Sequence, residues 1–212
     1  MVDIEKIEKR TAQSFYSDGL AEISLGLIFL LLGGYFFAQA VVPEGSALGS
    51  ALSLLSILVI VSAGFLVSRI LRFLKGRITY PRTGYVAFKK KKPSPKRRAA
   101  TMIVAGIIGA AMAALYGLSP SFKSLFPALN GLLLAVAVLL IAHKVGLVRF
   151  YILAAASALI GIAVTAAGIG DMKGFSLTFG LFGAAVTLSG LTTLIIYLRR
   201  SPRADRENAD AV

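Results

Sequence analysis

Runs of apolar residues about twenty long recur six times along the chain, and this spacing leaves it few folds to choose from. About twenty residues is the length at which a helix crosses a hydrocarbon core of about 30 Å. Within lipid no water satisfies the backbone, so every N–H and C=O must find its partner inside the segment, as it does in a helix. The runs cover about 20–42, 48–73, 99–118, 125–142, 150–169 and 175–198. The expected fold class is an all-α integral membrane protein: six transmembrane helices in three hairpins, with a small β-hairpin-like cytoplasmic loop. Composition agrees, since 57% of residues are hydrophobic, against about 45–50% in a soluble domain. With no tryptophan, the interfacial aromatic belt must draw on Tyr and Phe. With no cysteine, disulfide and thiol chemistry are excluded.

The polar residues then fix the threading. Positions 69–98 carry 12 of the 23 Lys and Arg residues. With six spans, 21 of the 23 fall on one side, leaving only Lys123 and Lys173 on the other. The positive-inside rule assigns the richer side to the cytoplasm and explains the net charge of +13 without a nucleic-acid partner. The expected layout is a cytoplasmic N-tail (1–19), either an interfacial helix or a solvated tail, a first transmembrane hairpin (20–74), a basic cytoplasmic loop (75–98), a four-helix transmembrane region (99–198) and a cytoplasmic C-tail (199–212). Both termini then face the cytoplasm, and the location is the cell (plasma) membrane. Asp3, Glu5, Glu8 and Asp18 give the N-terminal stretch the wrong charge for a signal peptide, so none is expected.

Local signals refine this picture. Asp18 reads as the N-cap of the first span, and Pro43-Glu44-Gly45-Ser46 as a tight turn. Small residues at helical spacing let membrane helices approach closely. Such stripes are Gly49, Ser53, Ser56 and Gly64 in the second span, Ala154, Ala158, Gly161 and Thr165 in the fifth, and Gly180, Ala184 and Thr187 in the sixth. Pro127 is expected in the first turn of the fourth span, where proline is tolerated. Between Tyr80 and Tyr85, Pro81 and Gly84 set a turn flanked by aromatic and β-branched residues, which predicts a hairpin over 78–88.

Glu22 is the only acidic residue inside a span, and its face continues through Gly26, Phe29 and Gly33. An ionisable group in a span points by default to function. Asp18, four residues earlier, would favour a shared proton. The plainer reading pairs Glu22 with Arg72, Arg82 or another base of the central loop at headgroup depth, and it is preferred. His143 stands alone, without the thiols or carboxylates of a metal site. Asn130 is read as a cross-helix hydrogen-bonding group. Lys89, Lys90, Lys91, Lys92, Lys96, Arg97 and Arg98 form a basic run suited to anionic lipid headgroups. No catalytic or cofactor signature is present, so neither an enzyme nor a cofactor is expected.

The opening Asp18-Gly19-Leu20-Ala21-Glu22-Ile23 with Gly26, and the loop Thr79-Tyr80-Pro81-Arg82-Thr83-Gly84-Tyr85-Val86, together resemble a family of uncharacterised bacterial and archaeal multi-span membrane proteins. Arg149-Phe150-Tyr151 also fits it. The resemblance implies that Asp18, Glu22, Pro81, Arg82, Gly84 and Tyr85 act together. The expected contact is Asp18 or Glu22 with Arg82, pinning the loop to the first helix. The expected function is a non-enzymatic membrane module that binds a protein or lipid partner through its basic loop. The alternative is a small transporter or channel using Glu22. A homo-oligomer or a further membrane partner is compatible with either.

Overall fold

The structure, a computed structural model, describes residues 13–43, 45–79 and 120–200, with single positions between 96 and 117. After one helical turn at 13–16 the described residues form five long helices: α1 (Leu20–Val41), α2 (Ala47–Ile78), α3 (Pro120–Val145), α4 (Val148–Ala166) and α5 (Asp171–Arg200). No strand occurs among the described residues. The expected hairpin over 78–88 lies outside them from Tyr80 onward. Half of the 99–118 run also lies outside them, and its described positions are helical.

Four helices, α1, α3, α4 and α5, are long and apolar enough to cross a membrane. A fifth is added if the two limbs of α2, Ala47–Ser56 and Leu58–Ile78, which meet at 52°, form one span. At about 1.5 Å per residue, the 22 residues of α1 reach about 33 Å, enough for the crossing. Leu54, Val61, Leu140 and Ile152 are exposed, as lipid-facing side chains are.

Glycine decides how the helices pair. Along α1, Gly19, Gly26 and Gly33 recur every seven residues and meet α5 running the other way. A Cβ on Gly26 would stand 2.3 Å from Thr187 Oγ1 and 2.8 Å from the Gly183 carbonyl. A Cβ on Gly33 would stand 2.8 Å from Gly180 N, and one on Gly190 would stand 2.7 Å from Ile23 N. Backbone therefore packs on backbone, the device by which membrane helices gain contact without a hydrophobic driving force. The rings of Phe29 and Phe182 meet edge-on at 5.0 Å beside this seam, and Phe36 and Phe175 do so at 4.6 Å. A second seam joins α3 to α4, where a Cβ on Gly161 would lie 2.6 Å from the Pro127 carbonyl and 2.9 Å from Gly131 Cα.

These seams revise the expected three hairpins. The principal partner of α1 is α5, at the far end of the sequence, while α2 makes a lesser contact with α1. The stripe on α2 forms no such seam among the described residues: a Cβ on Gly64 would meet nothing within 4 Å. The stripes on α4 and α5 do pack, through Gly161, Thr165, Gly180 and Thr187.

Other local expectations shift by a few residues. The turn at 43–46 forms, with Ser46 capping α2 by accepting from Gly49 N at 3.0 Å. The N-cap of α1 is Gly19 rather than Asp18. Its φ of +68° favours glycine, and a Cβ there would strike the Gly190 carbonyl at 2.3 Å. Pro127 lies inside α3 and not in its first turn, because the helix begins at Pro120. A proline there removes one backbone donor and disturbs the ladder. Thr165 Oγ1 of α4 compensates by accepting from Ala128 N at 3.0 Å. Asn130 is buried, and its Nδ2 finds no hydrogen-bond partner among the described residues.

Candidate functional site

One end of the bundle gathers the start of α1, the ends of α2, α3 and α5, and the start of α4. The turn over residues 13–18 lies across it. Asp18 and Glu22 are carried here by consecutive turns, Asp18 just before α1 and Glu22 in its first turn. They are 1% and 2% exposed, so each carboxylate needs partners from the protein.

Asp18 is held from three directions. Its Oδ1 accepts from Leu20 N at 3.1 Å, which leaves it satisfying the helix start although it is not the cap. Its Oδ2 accepts from Thr79 Oγ1 at 2.8 Å and lies 3.4 Å from Lys75 Nζ. Lys75 comes from the last turn of α2, where a cation also suits the negative end of the helix dipole. The same ammonium donates to the Phe15 carbonyl at 2.7 Å and stands 3.7 Å over the Phe15 ring.

Glu22 is held by α4 and α5. Its Oε2 accepts from Ser189 Oγ at 2.9 Å. Its Oε1 lies 2.8 Å from Arg149 Nη2 as an ion pair, without an aligned hydrogen bond. Arg149 also donates to Thr193 Oγ1 at 2.8 Å and to the Tyr16 carbonyl. The Tyr16 ring packs edge-on against Phe150 at 5.2 Å. Burial, and next to it the Glu22 carboxylate, hold the Tyr16 phenol above its ordinary pKa of 10.0, so this tyrosine stays neutral. Gln13 completes the strap by donating to the Val145 carbonyl at the end of α3, at 3.1 Å.

The two carboxylates singled out in the sequence are buried together at one end, and Glu22 is more deeply enclosed than a headgroup-depth pairing implies. Their cations are Lys75 and Arg149. Arg72 is not Glu22's partner: its Nε donates to the Ser68 carbonyl of its own helix at 3.1 Å. Arg82, Tyr80, Pro81, Gly84, Tyr85, Lys89, Lys90, Lys91, Lys92, Arg97 and Arg98 lie outside the described residues, and Lys96 is exposed. His143 is exposed at the same end of α3, and no group of three metal-ligating side chains occurs among the described residues. Sequence reasoning missed Lys75, Arg149 and Ser189. For Arg149 a signal existed, since it opens the Arg-Phe-Tyr triplet at the head of a span.

Cavities lie beside this core and at the far end of the bundle. One, of about 210 Å³, lies beside Glu22 and Tyr16 and is lined almost wholly by apolar side chains. The other, of about 510 Å³, sits at the opposite end between Gln39, Gly45, Gly49 and Met172.

Helices of this length and apolarity, with charge gathered at one end, define a multi-pass membrane protein. Comparison with protein-family models, with curated proteins and with solved structures gave no match.

Proposed function

We propose that the protein is a non-enzymatic, six-span module of the cell membrane with both termini in the cytoplasm. Its charged end holds the basic loop 75–98 at the cytoplasmic face for an acidic partner: anionic lipid headgroups, or an acidic protein surface. The reading keeps the resemblance to the uncharacterised multi-span family. The observation that carries it is the anchoring of Lys75, where the basic loop begins. It is tied to Asp18 and to the Phe15 carbonyl, so the loop leaves from a fixed point on the bundle.

Chain direction supports the sixth span. Thr79 lies at the charged end, on Asp18, whereas α3 starts at Pro120 and reaches that end only at Val145. The intervening residues thus begin at one end of the bundle and finish at the other, and the apolar run 99–118 has the length for the crossing. Among the five helices, Lys123 and Lys173 lie at the opposite end, and the remaining basic residues lie toward the charged end. This matches the positive-inside assignment of that end to the cytoplasm.

The runner-up, a transporter or channel working through Glu22, calls for a carboxylate on a watered path. Glu22 instead pairs with Arg149 and accepts from Ser189, beside an apolar cavity.

The test replaces Lys89, Lys90, Lys91, Lys92, Lys96, Arg97 and Arg98 with Gln in protein reconstituted into nanodiscs of phosphatidylcholine and phosphatidylglycerol. Each basic residue near a surface contributes about 1 kcal/mol of attraction to anionic lipid. Anionic-lipid enrichment around the protein should therefore drop severalfold and lose its salt dependence. Unchanged enrichment would leave the loop as a topology signal and remove the lipid reading. Proton flux into proteoliposomes that disappears in Glu22→Gln would favour the transporter.

A further inference from the structure

We infer that the cavity beside Glu22 is a binding site for a single hydrocarbon chain ending in a neutral hydroxyl. This does not rest on the role given to the basic loop. The cavity, about 210 Å³, lies where all five helices converge just inside the charged end. Leu25 of α1, Leu71 of α2, Ile141 of α3, Leu153 of α4 and Val186 of α5 each supply part of its wall. An apolar cavity of about 150 Å³ stays dry and takes up a hydrocarbon the size of benzene. This one is larger and partly open, and its described walls offer water few partners. Empty, its lining forfeits dispersion contacts on one side. An alkyl chain restores them.

The polar end of the ligand follows from Glu22, which also lines the cavity. Ser189 engages Oε2, but Oε1 receives no aligned hydrogen bond despite its closeness to Arg149. A buried acceptor short of an aligned hydrogen bond is destabilising even beside a cation, and a ligand O–H supplies that bond. A charged head fits less well, because among the described residues the charges at this end stand in pairs, Asp18 with Lys75 and Glu22 with Arg149. A carboxylate would meet Glu22, an ammonium would meet Arg149, and each would enter as an uncompensated buried charge. The hydroxyl therefore lies at Glu22 with the chain running along Leu25 and Leu71. A fatty alcohol and a monoacylglycerol both present this chemistry.

The experiment uses the full chain in phosphatidylcholine nanodiscs and 1-decanol bearing an aliphatic diazirine as photolabel, with labelled residues mapped by mass spectrometry. Label should concentrate on Tyr16, Glu22, Val67 and Leu71. Unlabelled 1-decanol should compete about tenfold better than decane or decanoate, the factor a hydrogen bond to a charged group supplies. Monoacylglycerol competing as well as decanol, or less well, identifies the source of the hydroxyl. Ala21→Phe, which fills the cavity from α1, should abolish cavity labelling. Val67→Phe fills it from α2 and serves if the first variant does not fold. Label spread over lipid-facing residues such as Leu54, Leu140 and Ile152 would overturn the inference. So would labelling that survives in a folded, filled variant, or decane competing equally with decanol.

Discussion

Asp18 and Glu22 stand one helical turn apart, and two like charges so placed repel. Each is buried against a cation from a different helix, and this resolves the conflict. Removing one member of a buried pair leaves the other uncompensated, at a cost of about 3–5 kcal/mol. Arg149 keeps 25% of its side chain exposed, so Arg149→Ala is expected at the lower end, about 3 kcal/mol. Glu22→Gln should cost less, since the amide can still accept from Ser189. The double variant should be less destabilised than the sum of the two, by at least about 1 kcal/mol in thermal unfolding in detergent. Additive losses would mean that the 2.8 Å contact is not an energetic pair. Running the same cycle with Arg82→Ala measures any coupling between the loop and Glu22. Lys75→Met keeps the apolar stem of the side chain and removes the ammonium. It should destabilise through loss of the Asp18, Phe15-carbonyl and Phe15-ring contacts together. The sequence singled out Glu22 as an acidic residue inside an apolar run, but its place near the end of that run pointed to headgroup depth rather than to burial. It did not make Arg149 legible as the partner. Local spacing ties i to i+4, and nothing local ties residue 22 to residue 149.

Helix lengths could be read from the sequence because hydropathy is local. Pairing was legible only in part. The heptad spacing of Gly19, Gly26 and Gly33 could be seen, yet it does not say which helix fills the groove. The short turn at 43–46 drew the expectation toward α2, whereas backbone complementarity with Gly183 and Gly190 makes α5 the main partner. The seam therefore carries a directional expectation. Gly26→Leu places a side chain where even a Cβ would be 2.6 Å from Thr187 N, so α1 and α5 must separate. Overpacking of this kind typically costs about 1–3 kcal/mol, and here separation also withdraws Ser189 from Glu22. Gly64→Leu on α2, where a Cβ meets nothing, should leave the unfolding temperature unchanged. Equal loss in both variants would show that glycine content, rather than the α1–α5 seam, limits stability.

For the whole molecule, the charge asymmetry was legible because topology is set by loop charge, which sequence displays directly. On this cysteine-free chain, cysteines placed singly at Ser94 and at Lys173 should react with an impermeant thiol reagent from opposite sides of sealed vesicles. Reaction from the same side would break the six-span threading. The cavity beside Glu22 was not legible at all, since its wall is assembled from five helices and no one of them announces it.

The pairing of α1 with α5 also sets a clock on biosynthesis. Glu22 and Ser189 are 167 residues apart, and the chain grows at about 5–20 residues per second. Glu22 thus waits about 8–30 s after its own synthesis before its last partner exists. Throughout that interval the first helix carries an incompletely partnered carboxylate at the membrane boundary. Assembly of the Glu22 site therefore waits on α5 rather than on the first hairpin.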